Sequence, residues 1–136
     1  MALTYKRIIL KLSGEALGEN GRLFDQDMIM RVANVLANIA ASGAELGVVI
    51  GAGNIWRGRQ SKDMDAVTAD HMGMLGTVIN CLCMRDAVER CGAKAVVFSA
   101  IDMPRVCEAY NVQSARQAMS EGKIVFFAGG SGNPFF

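Results

Sequence analysis

Short runs of aliphatic and β-branched residues alternate along the chain with longer stretches in which apolar residues recur every three or four positions. The short runs predict strands at residues 5–12, 45–50, 93–99 and 123–128. The longer stretches predict helices between a cap at Asp25 and a stop at Gly43, from 64 or 66 to 90, and over 113–121. This βαβαβαβ order predicts an α/β fold, a three-layer α/β/α sandwich around a mainly parallel sheet with right-handed crossovers. Within the loop 100–110, Val106 is a candidate for one more short strand.

The second predicted helix is apolar nearly all round between residues 72 and 84, where Thr77 and Asn80 are the only polar positions. One side of such a helix faces the sheet, and its other sides also need cover. We therefore expect a subunit interface on this helix, with a central core helix as the alternative. Its methionines are expected to pack in the core or the interface rather than to bind a ligand.

Three of the predicted strands run directly into glycines and small polar residues, at positions 11–14, 51–58 and 129–133. In open α/β sheets, ligands bind just beyond the carboxyl ends of the strands. Glycine lets a ligand approach the backbone without a Cβ in the way. The sequence therefore predicts three ligand-binding loops along one edge of the sheet.

Length, charge and cysteine content limit the classes of function. The 136 residues make one domain or less, and a net charge of +1 without a Lys/Arg cluster argues against a nucleic-acid partner. The apolar runs are too short for a membrane span or a signal peptide, so we expect no membrane partner and a cytoplasmic protein. Four cysteines without a C-x-x-C pair and a single histidine, His71, predict reduced thiols and no metal site.

Lysine, arginine and glycine at the strand ends indicate phosphate chemistry. The dinucleotide-binding pattern G-x-G-x-x-G fails because Trp56 stands at its third glycine, and the P-loop and protein-kinase motifs are absent from the sequence. Lys11 and Arg57 can neutralise phosphate oxygens, and Asp70 can accept hydrogen bonds from a sugar. The alternatives are a surface lysine at Lys11 and a helix-cap acid at Asp70. His71 is interpreted as a packed or hydrogen-bonded residue rather than a catalytic base.

Four stretches together carry a family resemblance. Residues 11–15 (KLSGE), 51–58 (GAGNIWRG), 70–74 (DHMGM) and 132–136 (GNPFF) resemble bacterial UMP kinases, a branch of the amino-acid-kinase superfamily. KLSGE marks the superfamily, whereas DHMGM and GNPFF are more specific to the UMP branch. The resemblance covers only the N-terminal part of the family's chain. Residues 1–136 are therefore expected to form that part of an amino-acid-kinase domain, incomplete at the C-terminus.

The resemblance implies a role for each matching residue. Lys11 and Arg57 would be catalytic, and ATP would be bound by Lys11, Leu12, Ser13, Gly14, Gly53 and Arg57. UMP would be bound by Ala52, Asp70, Ser131, Gly132, Asn133, Pro134, Phe135 and Phe136, with Asp70 on the ribose. The family's allosteric loop corresponds to Gly18, Glu19, Asn20, Gly21, Arg22 and Leu23, with GTP as the candidate effector. The chain has Ala52 where the family usually has Gly, and Ser131 where it commonly has Thr.

The activity that the resemblance implies is transfer of the γ-phosphoryl group from ATP to UMP, giving UDP for pyrimidine nucleotide biosynthesis. The transfer would be direct and in line, with Mg²⁺ carried on the ATP phosphates. The family is hexameric, which agrees with the interface expected on the second helix. Two alternatives stay open. One is a sister kinase acting on an amino-acid carboxylate or carbamate. The other is a non-catalytic nucleotide-sensing module, because the family binds the ATP nucleoside largely through its missing half.

Overall fold

The computed structural model describes residues 2–19, 21–56 and 62–135. The strands are β1 (Arg7–Leu12), β2 (Glu45–Ile50), β3 (Ala95–Ser99), β4 (Glu108–Ala109) and β5 (Ile124–Ala128). The helices are α1 (Gln26–Ala41), α2 (Ala66–Arg90) and α3 (Val112–Ser120), and a 3-10 turn, Gly14–Leu17, follows β1. The strands form one parallel sheet in the order β1-β2-β5-β3-β4, which confirms the predicted α/β class.

Short polar side chains begin the three helices. The Asp25 carboxylate accepts hydrogen bonds from the N–H groups of Asp27 and Met28, so the predicted cap is confirmed. Asp65 caps α2 by accepting from Thr68, and these hydrogen bonds hold the pKa of the Asp65 carboxyl below its usual range. Asn111 caps α3 by accepting from the Ser114 N–H. Since Asp65 is the cap of α2, Asp70 is not the helix-cap acid of the alternative interpretation.

The extra strand lies at Glu108–Ala109, so Val106 was the wrong position for it. The Val106 N–H donates to the Met103 carbonyl over 2.9 Å, which closes a turn. The backbone becomes extended only after this turn, and Glu108 then pairs with Phe98 of β3. A two-residue edge strand is too short to leave a pattern of alternating residues in the sequence.

The main core lies between the sheet and the pair α1 and α2. Alternate strand residues point to this face, among them Leu46, Val48 and Ile50 of β2 and Phe126 of β5, all essentially inaccessible to solvent. The two helices contribute Ile29, Ala33, Leu36, Val78, Cys81, Met84, Ala87 and Val88. Burial of this continuous apolar surface holds the strand ends in fixed register.

Part of the opposite face of the sheet is covered by α3, which gives the three layers that the sequence predicts. Ala115, Ala118 and Met119 of α3 pack against Phe98 and Val125. The same face is open to solvent on the β1 side, where 60% of Ile9 and 36% of Val49 are exposed.

The helix α2 is a core helix on one side and exposed on the other. Cys81 and Met84 are fully buried, whereas Met72, Leu75 and Ile79 are 37%, 47% and 48% exposed. The core-helix alternative therefore accounts for one side of α2 only, and the expected subunit interface on its exposed side stays a prediction. In the ranges that the structure describes, helices lack the unbroken apolar length needed to cross a lipid bilayer.

Candidate active site

Two of the three predicted loops lie side by side at the carboxyl edge of the sheet. Leu12, the last residue of β1, is in register with Ile50, the last residue of β2. The Gly51 N–H then donates to the Leu12 carbonyl over 2.9 Å, which extends the pairing into the loop. β5 is the other neighbour of β2 and ends at the same edge. The predicted convergence of three loops is therefore confirmed.

The turn after β1 has no room for a side chain at Gly14. A Cβ on Gly14 would clash with the Gly51 carbonyl oxygen and would lie 2.5 Å from Asn54 Oδ1. The Ser13 hydroxyl accepts from the Glu15 N–H over 3.2 Å, and the Ser13 carbonyl accepts from the Ala16 N–H over 3.0 Å. The turn is thus packed directly on the loop that follows β2.

Lys11 lies exposed near the end of β1. Because side chains alternate along a strand, Lys11 points to the same face of the sheet as Ile9. This is the face on which α3 packs, and it is exposed to solvent at β1. Leu12 points to the other face and packs against the main core. The structure therefore places a lysine beside the Ser13-Gly14 turn, as predicted, and gives Leu12 a packing role.

The loop after β2 folds back on itself and is held at both ends. The Ala52 carbonyl accepts from the N–H groups of Ile55 and Trp56, each over 2.9 Å. The Trp56 indole donates to the Ala69 carbonyl over 3.0 Å, which fixes the loop to the first turns of α2. Gly53 lies within this turn. Arg57, the predicted second phosphate-binding cation, lies outside the described residues.

Asp70 and the loop after β5, which carry the predicted UMP contacts, touch each other. The Asp70 carboxylate accepts a hydrogen bond from the Phe135 N–H over 2.7 Å, across 65 positions of sequence. The loop is glycine-rich, with positive φ at Gly129, Gly130 and Gly132, and Phe135 itself has φ of 65°. A bulky residue rarely adopts that conformation, and such strain concentrates at ligand-binding sites.

The earlier part of this loop is held by its own hydrogen bonds. The Ser131 hydroxyl accepts from the Asn133 N–H over 3.3 Å, which keeps the residues 131–133 in a tight turn before Pro134. Phe136, the last predicted UMP contact, lies outside the described residues. His71 is exposed in the second turn of α2, so it is not packed in the core.

The allosteric candidate segment lies next to the loop after β2. A cavity of about 270 Å³ is lined by Glu15, Gly18, Glu19, Gly21, Arg22, Leu23 and Asn54. The Leu23 carbonyl accepts from the Asn54 amide over 3.2 Å, so the segment touches the candidate phosphate loop directly. Asn20 lies outside the described residues, and the effector role of this segment stays a prediction.

Two residues of the site were not predicted from the sequence. The Thr77 hydroxyl accepts from the Gly129 N–H over 2.8 Å, and the Asn80 amide donates to the Gly51 carbonyl over 2.7 Å. Each side chain holds the first residue of a loop that the sequence did predict. The available signal was their position as the only polar residues in the apolar middle of α2.

The cysteines take no part in this site as metal ligands or disulfides. All four are free thiols, and burial raises the pKa of the Cys81 thiol to about 12. Burial also raises the pKa of Cys83 and Cys107. Within the part of the chain that the structure describes, His, Cys, Asp and Glu side chains form no group of three or more that could hold a metal ion.

Comparisons with known proteins agree with this geometry. Uridylate kinase from Brucella abortus biovar 1 (strain 9-941) is 53% identical over 135 residues, which are 97% of this chain and 56% of that protein. Uridylate kinase from Bartonella bacilliformis is 48% identical over 139 residues, covering all of this chain and 58% of that protein. The chain thus spans somewhat more than half the length of these relatives.

Solved structures give the same result. UMP kinase from Ureaplasma parvum superimposes with a TM-score of 0.92 at 32% identity, over 96% of this chain and 59% of that one. UMP kinase from Bacillus anthracis superimposes with a TM-score of 0.90 at 37% identity, over 97% of this chain and 56% of that one. The model of the amino acid kinase family matches residues 6–134. With nearly its whole length matched, the chain belongs to the amino acid kinase family.

Proposed function

We propose that this chain binds UMP and the phosphates of ATP, and that it serves transfer of the γ-phosphoryl group from ATP to UMP. The observation that carries the proposal is the hydrogen bond between Asp70 and the Phe135 N–H. It brings the DHMGM and GNPFF stretches into contact, and this contact supports a single acceptor site at the sheet edge where the glycine loops converge. The names of the relatives and of the superimposed structures support UMP as the acceptor.

The donor phosphates are proposed to lie between the turn after β1 and the loop after β2. Lys11 supplies a positive charge there, and the backbone of Ser13, Gly14 and Gly53 is proposed to face the phosphate oxygens. Arg57 is proposed to add a bidentate contact to the same phosphates. Two anionic substrates must approach each other in this reaction, so neutralising their charge is the main task of these residues.

The acceptor is proposed to lie on Asp70 and the loop from Ser131 to Phe136. A carboxylate oxygen can accept more than one hydrogen bond, so Asp70 can hold the Phe135 N–H and a ribose hydroxyl together. Ala52 is proposed to contribute its backbone N–H to the same site, and a methyl side chain leaves that N–H in place. This arrangement favours a nucleotide acceptor over the small carboxylate or carbamate of a sister kinase.

The proposed reaction is a direct in-line displacement in which the UMP α-phosphate attacks the γ-phosphorus of ATP. The enzyme positions the two phosphates and stabilises the charge of the transferring group, and no covalent enzyme intermediate is formed. Phosphate is already a nucleophile, so His71 need not act as a base. Mg²⁺ is proposed to arrive with ATP and to be held by its phosphate oxygens.

The assembly is proposed to be a homo-oligomer, a hexamer by family resemblance. Met72, Leu75 and Ile79 form an exposed apolar strip on α2, and such strips are covered by partner subunits in many oligomers. GTP is proposed as an effector at the segment from Gly18 to Leu23. The free thiols and the nucleotide substrates favour the cytoplasm and a role in pyrimidine nucleotide biosynthesis.

Calorimetric titration with UMP tests the proposal, with CMP, AMP and carbamate as controls. Saturable binding of UMP alone would support the acceptor site. Binding of carbamate in place of UMP would favour a sister kinase. Binding of UMP without transfer from ATP in a coupled assay of the same preparation would favour the nucleotide-sensing module. Absence of binding by all four compounds would contradict the proposal.

A further inference from the structure

Two asparagine side chains form a reciprocal amide pair behind the glycine loops. Asn80 Nδ2 donates to Asn54 Oδ1 over 2.8 Å, and Asn54 Nδ2 donates to Asn80 Oδ1 over 3.1 Å. The second proton of each amide goes to a backbone carbonyl, Gly51 for Asn80 and Leu23 for Asn54. A carbonyl can only accept, so the backbone fixes the orientation of both amides and makes their pairing complementary.

The pair is buried at its α2 end. Asn80 is fully inaccessible to solvent, and its neighbour Cys81 is also fully buried in the core. An amide placed there without partners would lose its hydrogen bonds to water and gain nothing in return. Asn80 uses both of its donor protons and its acceptor oxygen, so its position on α2 is tied to the loop after β2.

The pair also touches the turn after β1. A Cβ on Gly14 would lie 2.5 Å from Asn54 Oδ1 and 3.0 Å from Asn80 Nδ2. The α carbon of Gly14 therefore packs directly on the two amides and the Gly51 carbonyl, with no room for a side chain. One side chain on α2 thus connects, within a single cluster, the two loops that the proposed function assigns to phosphate.

We propose that Asn80 is a positioning residue: its amide holds the loop 51–54 against the Ser13-Gly14 turn, so that the two loops present their backbones to phosphate in one fixed arrangement. That the ligand is a phosphate depends on the proposed function, whereas the positioning is argued from the hydrogen bonds of the chain itself. Loss of the Asn80 amide removes the hydrogen bond to the Gly51 carbonyl and both hydrogen bonds between Asn80 and Asn54. The elements β1, β2 and α2 keep their own backbone hydrogen bonds and core contacts.

Amide hydrogen exchange of the Asn80→Ala variant tests this inference, with Val88→Ala as the matched control. Val88 is also fully buried on α2 but lies eight residues further along, about 12 Å from Asn80 along the helix axis. After scaling to the amides of β5, exchange at 51–56 should be about tenfold faster in Asn80→Ala than in Val88→Ala. The same exchange pattern in both variants would overturn the inference, because the effect would then be a general loss of stability.

Asn54→Ala removes the same amide pair from the loop side and keeps the test decisive if Asn80→Ala does not fold. It should also accelerate exchange at 51–56, while a loop that exchanges as in the unsubstituted chain would overturn the inference. In a titration with ATP, whose phosphates are proposed to lie between these two loops, Asn80→Ala should weaken binding about tenfold and Val88→Ala should not. A chain that binds no UMP at all would contradict the proposed function, and the exchange comparison would still decide the role of Asn80.

Discussion

The methyl group of Ala52 occupies the space that a side chain on Gly76 would need. A Cβ built on Gly76 would lie 2.8 Å from the Cβ of Ala52, well inside van der Waals contact. The loop after β2 and the helix α2 therefore approach each other so closely that only one of the two positions can carry a methyl group. The family that the chain resembles usually has Gly where this chain has Ala52. In this chain the methyl group is therefore on the loop, and the helix has Gly76 opposite it.

Gly76→Ala is therefore expected to destabilise the chain, although alanine normally favours a helix. Overpacking of this kind costs about 1–3 kcal/mol, which exceeds the helix-propensity gain of about 1 kcal/mol. Adding Ala52→Gly to Gly76→Ala should recover most of the loss, as measured by urea unfolding. Gly73→Ala is the control, because a Cβ there meets its nearest neighbour, Trp56, only at 3.9 Å. Equal stabilisation by Gly73→Ala and Gly76→Ala would contradict the close approach.

Lys11→Met is expected to reduce phosphoryl transfer from ATP to UMP by about a hundredfold or more, because a cation aimed at the developing charge is lost. Since Lys11 is exposed, stability should change by no more than about 0.5 kcal/mol. Lys94→Met is the matched control, as Lys94 is exposed just before β3 at the opposite edge of the sheet. Steady-state kinetics in a coupled assay checks the effect. A Lys11→Met variant with normal turnover would rule out the proposed role.

Asp70→Asn is expected to weaken UMP binding about tenfold, since an amide is a poorer acceptor for a ribose hydroxyl than a carboxylate. Its remaining oxygen can still accept from the Phe135 N–H, so the loop after β5 should keep its place. Asp70→Ala loses both contacts and should bind UMP more weakly still. Asp86→Asn, at the far end of α2 in an exposed pair with Arg90, should bind UMP normally. Unchanged binding in Asp70→Ala would exclude the ribose contact.

The Cys81 thiol is expected to make the fold sensitive to alkaline pH. Burial raises its pKa from 9.0 to about 12, so between these values the unfolded chain loses a proton that the folded chain retains. The contribution of this thiol to the free energy of unfolding is fully present below pH 9. It decreases as the pH rises toward 12, by up to about 1.4 kcal/mol per pH unit. The free energy of unfolding of Cys81→Ala should show a shallower alkaline decline than that of the original chain. Parallel curves above pH 9 would contradict the burial of the thiol.

Ile79→Glu is expected to dissociate the proposed oligomer, because it places a charge in the middle of the exposed apolar strip on α2. Val35→Glu is the control, since Val35 is a similarly exposed aliphatic residue on α1, with 57% of its surface accessible. Sedimentation velocity checks both variants against the original chain. A monomeric original chain, or equal dissociation in both variants, would contradict an interface on α2.

Much of the fold follows from sequence patterns that are local. The run from 45 to 50 predicts β2 at its observed bounds, and Asp25 and Gly43 frame α1 as observed. The glycines after β1, β2 and β5 predict the loops, and the parallel order brings the loops to one edge. β4 was misplaced because its position depends on Phe98 of another strand, which no local pattern records.

The positions of Thr77 and Asn80 were visible in the sequence, but their partners were not. A polar residue on an apolar helix can bond its own backbone, face solvent or reach another element, and the spacing of neighbours does not distinguish these cases. Thr77 bonds its own backbone and also reaches another element. Its hydroxyl donates to the Met74 carbonyl of α2 and accepts from the Gly129 N–H after β5. Only the fold shows that the second contact holds a loop of the candidate site.

The length of α2 is constrained by three side chains on one of its sides, Asp70, Thr77 and Asn80. At about 100° per residue, the three lie within an arc of about 80° on the helix, and each holds the backbone of a strand-end loop. Inserting or deleting one residue between 70 and 80 would turn one part of this arc by about 100° relative to the other, so one loop would lose its anchor. Sequence change in this helix should therefore proceed by substitution on its exposed side, while the number of residues between the first and last anchor stays fixed.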